Sequence, residues 1–311
     1  MLPTYDAACG STRSGPQRPC ADPGRLIAAI AMHAMVTGAT GFVGQHLVRR
    51  LKQDGACVTA VVSHRGSVDA DQVAADVGDT NAMCQLMEAQ PDVVYHLAGA
   101  AARVPASGPG AFEVNSRGTA AVLEAIHRCG SSARVVLAST DAITTRAPAD
   151  PYEQSKADAE DSAAFFRVER GLDIVTARLS NVYGPGDRSR QRLVPAAAAA
   201  AVAGVDFKPL APASVLDLVH VADAVAALVL LGVHADAPIQ RVASGRYVTV
   251  EDVVQYVGAI ARGEAATEPV ATPYESPVPV VPGWTPQISL ARGLEETVRW
   301  YLERSLDPGA G

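Results

Sequence analysis

The sequence lacks the long apolar run and the basic run that would mark a membrane or a nucleic-acid partner. Its longest apolar stretches, residues 26–36 and 195–205, are shorter than the roughly 18 residues that a membrane-spanning helix needs. Asp and Glu number 33 against 26 for Lys and Arg, and no basic cluster stands out. We therefore expect a soluble protein that binds neither membrane nor nucleic acid.

Cysteine is also sparse. The five cysteines are scattered, and they form no C-x-x-C pair and no histidine spacing typical of zinc. This pattern predicts reduced thiols and no metal site. Residues 26–34 imitate the apolar core of a signal peptide, but they run directly into the first strand, so we expect a cytoplasmic location. With 311 residues, of which 48% are apolar and 19% charged, the composition excludes disorder and fibre and suffices for one large or two modest domains.

Short apolar runs alternate with helical patterns from residue 34 onward. We predict strands at 34–37, 57–63, 92–97, 133–139, 173–178 and 240–243, and helices at 44–53, 80–89, 115–128, 152–169, 195–204, 249–261 and 289–303. Such alternation predicts a parallel sheet covered by helices on both faces. Residues 1–31 have little periodicity, and we predict a disordered leader or a start assigned too early, with Met32 the true start.

A glycine-rich segment, TGATGFVG at 37–44, lies between the first strand and the first helix. Its first glycine permits a sharp turn, the second lets backbone N–H groups approach a pyrophosphate, and the third allows close packing of helix on sheet. A strand before it and a helix after it favour cofactor binding over a purely structural loop. The residues predicted to hold the cofactor here are Gly38, Thr40, Gly41, Phe42, Val43 and Gly44.

The fold class that follows is α/β, a Rossmann-type doubly wound parallel sheet with a smaller C-terminal substrate lobe. After residue 178 the pattern loosens, because proline and glycine become frequent. We assign residues 32–177 plus about 218–261 to the NAD(P)-binding domain. The substrate-binding lobe then comprises residues 178–217 plus about 262–311.

The end of the second strand bears on the choice of cofactor. Folds that select NAD carry an acidic residue there for the ribose 2′-hydroxyl, whereas this chain has Ser63, His64 and Arg65. A hydroxyl followed by a cation suits a 2′-phosphate. The sequence thus favours NADP, with NAD as the alternative, unless His64 and Arg65 are ordinary solvated loop residues.

Tyr152 and Lys156 lie four residues apart on a predicted helix and therefore project from one face. A phenol is a poor acid or base at neutral pH, but an adjacent ammonium stabilises the phenolate and lowers the phenol's pKa. Such a pair can pass a proton to or from a substrate oxygen while hydride moves. The preceding strand ends at Thr140, whose hydroxyl can hold the same oxygen. The alternative is a tyrosine and a lysine that merely line a helix.

Several further motifs follow in order: D-V at 76–77, HLAGA at 96–100, LAST at 137–140, YEQSK at 152–156, RLSNVYGPGD at 178–187 and HVAD at 220–223. On these motifs the chain, from about residue 35 to 301, resembles the extended short-chain dehydrogenase/reductases, particularly the sugar-nucleotide epimerase/dehydratase branch. The resemblance implies Thr140, Tyr152 and Lys156 as the catalytic set, with Tyr152 the acid or base and Lys156 also binding the nicotinamide ribose. It further implies a homodimer built on the helices that begin near Asn115 and Tyr152.

The same resemblance implies further contacts along the cofactor and at the substrate. Besides the glycine turn, the residues implied at the cofactor are Asp76, Val77, Leu97, Ala98, Gly99, Asn115 and Leu179. Those implied or considered at the substrate are Ala100, Arg103, Asp141, Asn181 and Arg192.

Two departures from the family pattern narrow the chemistry. Ala142 stands where 4,6-dehydratases carry a glutamate, and a methyl group cannot act as acid or base in the loss of water. Asp141 keeps one half of that pair, although it can equally cap a turn. Leu216 stands where relatives carry an arginine that binds the diphosphate, and other arginines can supply that charge: Arg103, Arg188, Arg190 or Arg192.

Together these observations predict hydride transfer at an alcohol or ketone of a sugar, with NADPH reduction of a nucleotide-linked keto-deoxysugar fitting best. Epimerisation through a bound cofactor uses the same hydroxyl, phenol and hydride, so the sequence leaves it open. The further alternatives are a 4,6-dehydratase, a reductase of a natural-product ketone without a nucleotide, and an NAD(P)-binding protein without catalysis.

Overall fold

The computed structural model describes residues 32–63, 68–100, 112–143 and 150–306. The predicted leader 1–31 and the predicted contact residues His64, Arg65 and Arg103 lie outside these ranges. The strands are β1 (His33–Thr37), β2 (Cys57–Val62), β3 (Asp71–Ala74), β4 (Val93–His96), β5 (Arg134–Thr140), β6 (Ile174–Leu179), β7 (Asn181–Tyr183), β8 (Val215–His220), β9 (Ile239–Val242), β10 (Arg246–Thr249) and β11 (Thr272–Pro273).

Eight α-helices connect or cover these strands within the described residues. They are α1 (Phe42–Gln53), α2 (Thr80–Met87), α3 (Thr119–Arg128), α4 (Pro151–Glu169), α5 (Leu193–Val202), α6 (Val221–Val233), α7 (Val250–Ala261) and α8 (Leu290–Leu306). A π-helical turn, Glu113–Gly118, leads directly into α3. In these ranges no helix combines the length and the apolar character of a bilayer span.

Seven parallel strands form the central sheet in the order β3-β2-β1-β4-β5-β6-β9. The chain reverses its direction of winding between β1 and β4, and in such sheets a ligand binds in the crevice outside the carboxyl ends of the strands at this point. The predicted α/β Rossmann-type fold is confirmed.

Both faces of this sheet are buried, as an all-parallel sheet requires. On one face α1 and α6 pack through side chains such as Leu47 and Leu228. On the other face α2, α3 and α4 pack through Met83, Val122 and Phe166. The apolar positions of α1 recur at the spacing of one helical face, which explains why the sequence pattern located this helix.

A second sheet of four strands, in the order β11-β10-β8-β7, lies with α5, α7 and α8 in the smaller lobe. This corrects the predicted domain boundary, because β8, β10 and α7 belong here and not to the nucleotide-binding domain. The reason is packing: Val248 on β10 and Val253 and Val257 on α7 share one apolar core with Val194 of α5 and Leu294 of α8. Of the region 218–261, α6 and β9 do pack with the central sheet.

Candidate active site

The glycine turn between β1 and α1 leaves no room for side chains. Gly38 has a φ of +68°, and a Cβ atom there would lie 2.7 Å from the backbone nitrogen of Ala98. A Cβ on Gly44 would lie 2.2 Å from the carbonyl oxygen of Gly38. Among the described residues no side chain caps the first turn of α1, so its N–H groups remain available to an anion. This cradle fits the pyrophosphate of a dinucleotide.

A chain of buried hydrogen bonds connects this turn to Asn115. Thr37 Oγ1 accepts from the Ala98 N–H (3.2 Å) and lies 2.8 Å from His96 Nδ1. His96 Nε2 lies 3.1 Å from Thr119 Oγ1, which in turn donates to the Asn115 carbonyl oxygen. The Thr119 proton is thus committed, so Nε2 carries the imidazole proton and Nδ1 accepts from Thr37. Burial also lowers the pKa of His96 to about 3, which keeps the ring neutral.

Asn115 lies at the centre of the π-helical turn and is fully buried. Its Oδ1 accepts from the Ala100 N–H at 2.9 Å, and its Nδ2 donates to Ser155 Oγ at 3.0 Å. Ser155 Oγ donates to the carbonyl oxygen of Tyr152 at 2.7 Å. Asn115 therefore joins the loop after β4 to the first turn of α4. The backbone around Asn115 is π-helical, and π-helical turns are frequent at functional sites.

The structure brings Thr140 and Tyr152 together at the carboxyl end of β5. The Thr140 hydroxyl interacts with the Tyr152 phenol and lowers its pKa, and Thr140 Oγ1 accepts from the Ala142 N–H at 3.2 Å. Burial raises the pKa of Tyr152 above its ordinary value, against the lowering effects of Thr140 and Arg192. The phenol is therefore protonated at neutral pH.

Lys156 is buried beside this pair. Its Nζ donates to the carbonyl oxygen of Ala138 at 3.1 Å. A Cβ atom on Gly99 would lie 3.2 Å from Lys156 Nζ and 2.8 Å from Asn115 Oδ1, so these three residues meet at the end of β4. Burial lowers the pKa of Lys156 to about 8, although Glu160, one turn further along α4, opposes this shift.

One expectation about this pair is wrong. We expected the ammonium of Lys156 to lower the pKa of Tyr152, but the structure raises that pKa by burial, and the groups that lower it are Thr140 and Arg192. The physical reason is that the loss of water around the phenol outweighs the groups that stabilise the phenolate, and the Lys156 ammonium donates instead to the backbone of β5. Its charge also lies beside His96, whose pKa it helps to lower.

A model of the NAD dependent epimerase/dehydratase family matches residues 34–243, about two thirds of the chain. The chain belongs to that family. The match confirms the predicted class of enzyme, an NAD-dependent epimerase/reductase of the extended short-chain dehydrogenase/reductase type.

Similar proteins agree with this assignment. A dTDP-4-dehydro-6-deoxy-D-allose reductase from a Streptomyces species is 29% identical over 86% of this chain and 95% of its own length. The solved UDP-glucose 4-epimerase of Thermotoga maritima, in complex with UDP-glucose, is 26% identical over 89% of this chain and all of its own, with a TM-score of 0.74. The Thermus thermophilus UDP-glucose 4-epimerase, in complex with NAD, is 26% identical over 90% of this chain and all of its own, with a TM-score of 0.72.

Two of the residues predicted at the substrate lie on β7 and on the segment before α5. Asn181 is exposed, and its Nδ2 donates to the Asp217 carbonyl oxygen at 3.1 Å. Arg192 pairs with Asp187 at 2.6 Å, and its guanidinium lies 5.1 Å from the centre of the Phe42 ring in the glycine turn. Its charge also acts on the Tyr152 phenol. Arg192 thus lies among the cofactor turn, the phenol and the smaller lobe.

The remaining residues predicted at the cofactor lie at the ends of β2 and β6 and in the segment after β3. Ser63 is exposed at the end of β2, and the Asp76 carboxylate accepts from the Gly78 N–H at 2.9 Å. Val77 packs against the π-helical turn, where its Cγ2 would lie 3.1 Å from a Cβ atom placed on Gly118. Leu179 on β6 is the register partner of Thr140. Their contacts with a cofactor stay predictions.

Asp141 is the residue whose surroundings differ most from the expectation. Its two carboxylate oxygens accept from Nε (2.6 Å) and from Nη2 of Arg241, which is buried at the end of β9. Sequence reasoning passed over Arg241, because the two residues are 100 positions apart and no local pattern connects them. Thr37 and His96 stand inside sequence motifs without an assigned role, although polar residues within apolar strands that end at the glycine turn and at its neighbour were a usable signal.

Proposed function

We propose that this enzyme reduces a keto group on a nucleotide-linked sugar, with Tyr152 as the proton donor. The observation that carries the proposal is that Thr140, the half-buried Tyr152 and the buried Lys156 come together at the carboxyl end of β5. Asn115 and Lys156 lie on the same edge of the sheet as the glycine cradle. This constellation has the parts that hydride transfer at a carbonyl requires: an acid, a cation and a dinucleotide site.

When bound, the nicotinamide cofactor supplies the hydride. The glycine turn would hold its pyrophosphate, and Lys156 its nicotinamide ribose. Thr140 donates its hydroxyl proton to the Tyr152 oxygen, which leaves the phenol proton free for the substrate carbonyl oxygen. As that proton leaves, the phenolate is stabilised by the Thr140 hydroxyl and by the charge of Arg192.

Reduction fits the protonation state of Tyr152 better than epimerisation does. Burial raises the pKa of the phenol, so that at neutral pH the residue is an acid ready to donate. An epimerase must first remove a proton from a sugar hydroxyl, which requires a phenolate. Epimerisation remains the second candidate because it uses the same side chains.

Dehydration fits less well. Ala142 cannot act as an acid or base. Asp141, which keeps one half of the acid–base pair of the 4,6-dehydratases, has both oxygens occupied by the Arg241 guanidinium. An aspartate so engaged has neither oxygen free for a leaving hydroxyl.

The cofactor that we propose is NADPH. The solved Thermus thermophilus relative holds NAD, so the site of this fold accepts a nicotinamide dinucleotide. Ser63, His64 and Arg65 offer no carboxylate to the ribose 2′-hydroxyl, and a cation there would pair with a 2′-phosphate. For the substrate, the names of the relatives support a nucleotide-linked sugar. Arg192 is the described arginine best placed for its diphosphate.

A turnover assay tests the reaction and the cofactor together. With a dTDP-4-dehydro-6-deoxyhexose we expect stoichiometric loss of NADPH absorbance, and binding of NADPH about tenfold or more tighter than binding of NADH, because a charged hydrogen bond contributes roughly 1.5–3 kcal/mol. Conversion of UDP-glucose to UDP-galactose without net NADPH loss would instead identify an epimerase. Turnover only of ketones without a nucleotide would reject the nucleotide-linked substrate, and equal or tighter NADH binding would reject the cofactor preference.

We also propose a homodimer formed through α3 and α4, in the cytoplasm. Phe165 and Val168 on α4 are 48% and 67% exposed, and Phe112 before the π-helical turn is 44% exposed. Phe165→Asp should convert a dimer of 32.2 kDa chains to monomers in light scattering, whereas Val205→Asp, at an exposed valine of the smaller lobe, should not. A monomeric wild-type protein would reject this proposal. Export of the native chain in a cell fractionation would reject the location.

A further inference from the structure

Arg241 is an ionised side chain that the fold buries almost completely, with 3% of it exposed. Its guanidinium holds both oxygens of Asp141 in a two-pronged pair. The neighbouring Arg178, its register partner on β6, is taken up by Glu160 at 3.0 and 2.7 Å. Each of these two arginines therefore has its own carboxylate, and the carboxylate of Arg241 is in the turn that follows Thr140.

The other side of the Arg241 guanidinium faces the smaller lobe. Its carbon lies 4.9 Å from the centre of the Tyr274 ring, and Tyr274 stacks on Tyr247 of β10 with ring centres 3.8 Å apart. The backbone N–H of Arg241 also donates to the Pro279 carbonyl oxygen at 2.7 Å. Arg241 thus connects the central sheet, the turn after β5 that contains Asp141, and the second sheet.

The turn itself sets the direction of the Thr140 hydroxyl. Thr140 Oγ1 accepts from the Ala142 N–H, and the Asp141 N–H donates to the Leu179 carbonyl oxygen. With its lone pair so engaged, the hydroxyl can turn its proton toward the Tyr152 oxygen. Asp141 lies between these two anchors, and its side chain is held only by Arg241 among the described residues.

We propose that Arg241 is a positioning residue, which fixes the Thr140 hydroxyl against Tyr152 by holding Asp141 and ties that turn to the smaller lobe. The inference rests on the proposed function for its role in the reaction. Fold stability alone is a poor explanation for the pair, since a buried ion pair contributes little net stability compared with apolar residues of the same size.

A double-mutant cycle with Thr140 tests this inference. Arg241→Met should lower kcat for NADPH-dependent reduction about tenfold to a hundredfold with KM unchanged, because small misplacements of reacting groups have costs of that size. Arg241→Lys keeps the positive charge but loses the paired guanidinium N–H groups, and its kcat should lie between those of Arg241→Met and the wild-type protein. In a Thr140→Val background Arg241→Met should cause no further loss, because its target is already gone. If the fold losses in kcat of the two single variants multiply in the double variant, the proposal is overturned.

A second measurement does not depend on turnover. The pKa of Tyr152 can be followed by NMR in protein labelled with ¹³C-tyrosine, with Tyr152→Phe assigning the signal. Arg241→Met should raise this pKa in the wild-type background and leave it unchanged in the Thr140→Val background. Arg192, Asp150 and Glu153, which also act on the phenol, are present in every variant. A rise in both backgrounds would mean a direct charge effect and would overturn the proposal.

Two controls separate folding from positioning. Arg134→Met removes a more exposed arginine pair, with Asp173 at the opposite end of β5, and should leave kcat and the Tyr152 pKa unchanged. Asp141→Asn combined with Arg241→Met removes both charges and so avoids an unpaired buried carboxylate; it should show the same loss of kcat as Arg241→Met. A wild-type protein inactive on every substrate would reject the proposed function, whereas the NMR cycle would still decide the role of Arg241.

Discussion

Tyr152→Phe should lower kcat by about a thousandfold, within the range that a positioned general acid contributes. The substitution removes the proton that the carbonyl oxygen receives while it leaves the ring, its packing and the glycine turn in place. The dissociation constant of NADPH should therefore stay nearly the same. Steady-state kinetics and a fluorescence titration of NADPH measure the two quantities.

Tyr256→Phe is the matched control for this experiment. Tyr256 is also largely buried, and its hydroxyl lies 3.2 Å from Glu295 Oε1 in the smaller lobe, away from Thr140. Its loss should leave kcat unchanged. Equal turnover in Tyr152→Phe and the wild-type protein would show that Tyr152 is not the acid.

Lys156→Met should abolish most of the activity and yet stabilise the folded protein. Burial lowers the pKa of Lys156 from 10.5 to about 8, so at pH 7 the fold carries a buried charge at a cost of about 3 kcal/mol. Methionine removes this cost but leaves the Ala138 carbonyl without its donor, which offsets about 1 kcal/mol. We expect the free energy of unfolding in urea at pH 7 to rise by about 2 kcal/mol.

The pH dependence distinguishes this cause from better packing. Between pH 8 and 10.5 the unfolded wild-type chain binds more protons at Lys156 than the folded protein does, so the wild-type protein gains stability as the pH rises. The methionine variant lacks this gain. Its advantage should therefore be full below pH 8 and shrink as the pH approaches 10.5. An advantage that is constant with pH would contradict the assignment.

The control for Lys156→Met is Lys52→Met. Lys52 is exposed on α1, where it pairs with Asp69 on the surface at 2.7 Å. An exposed pair contributes at most about 1 kcal/mol, and the substitution should change neither kcat nor the pH dependence of stability.

Much of the central sheet could be predicted because its signals are local. Apolar runs separated by amphipathic helices gave β1, β4 and β5 with α1, α3 and α4, each within a few residues of the observed ends. The helix α6 went unpredicted, because it is apolar on nearly every side and has no polar face to give it a period. The strands of the second sheet were missed since they are short and lie among prolines and glycines.

The candidate site likewise contains residues that the sequence predicts and a pairing that it does not. The glycine turn, Tyr152 and Lys156 are recognisable because their chemistry depends on spacings of a few residues along one helix or turn. The pairing of Asp141 with Arg241 is not, because it arises only when β5 and β9 are brought to the same edge of the sheet.

The sequence by itself predicted most elements of the central sheet, the family, and the candidate residues for the proton and the cofactor, since each depends on short-range pattern and residue type. The tertiary structure decided the protonation state of those residues and of their neighbours. Burial keeps His96 neutral, holds the Tyr152 proton and makes the Lys156 charge costly. Those effects come from the removal of water and from partners distant in the chain, which no local pattern encodes.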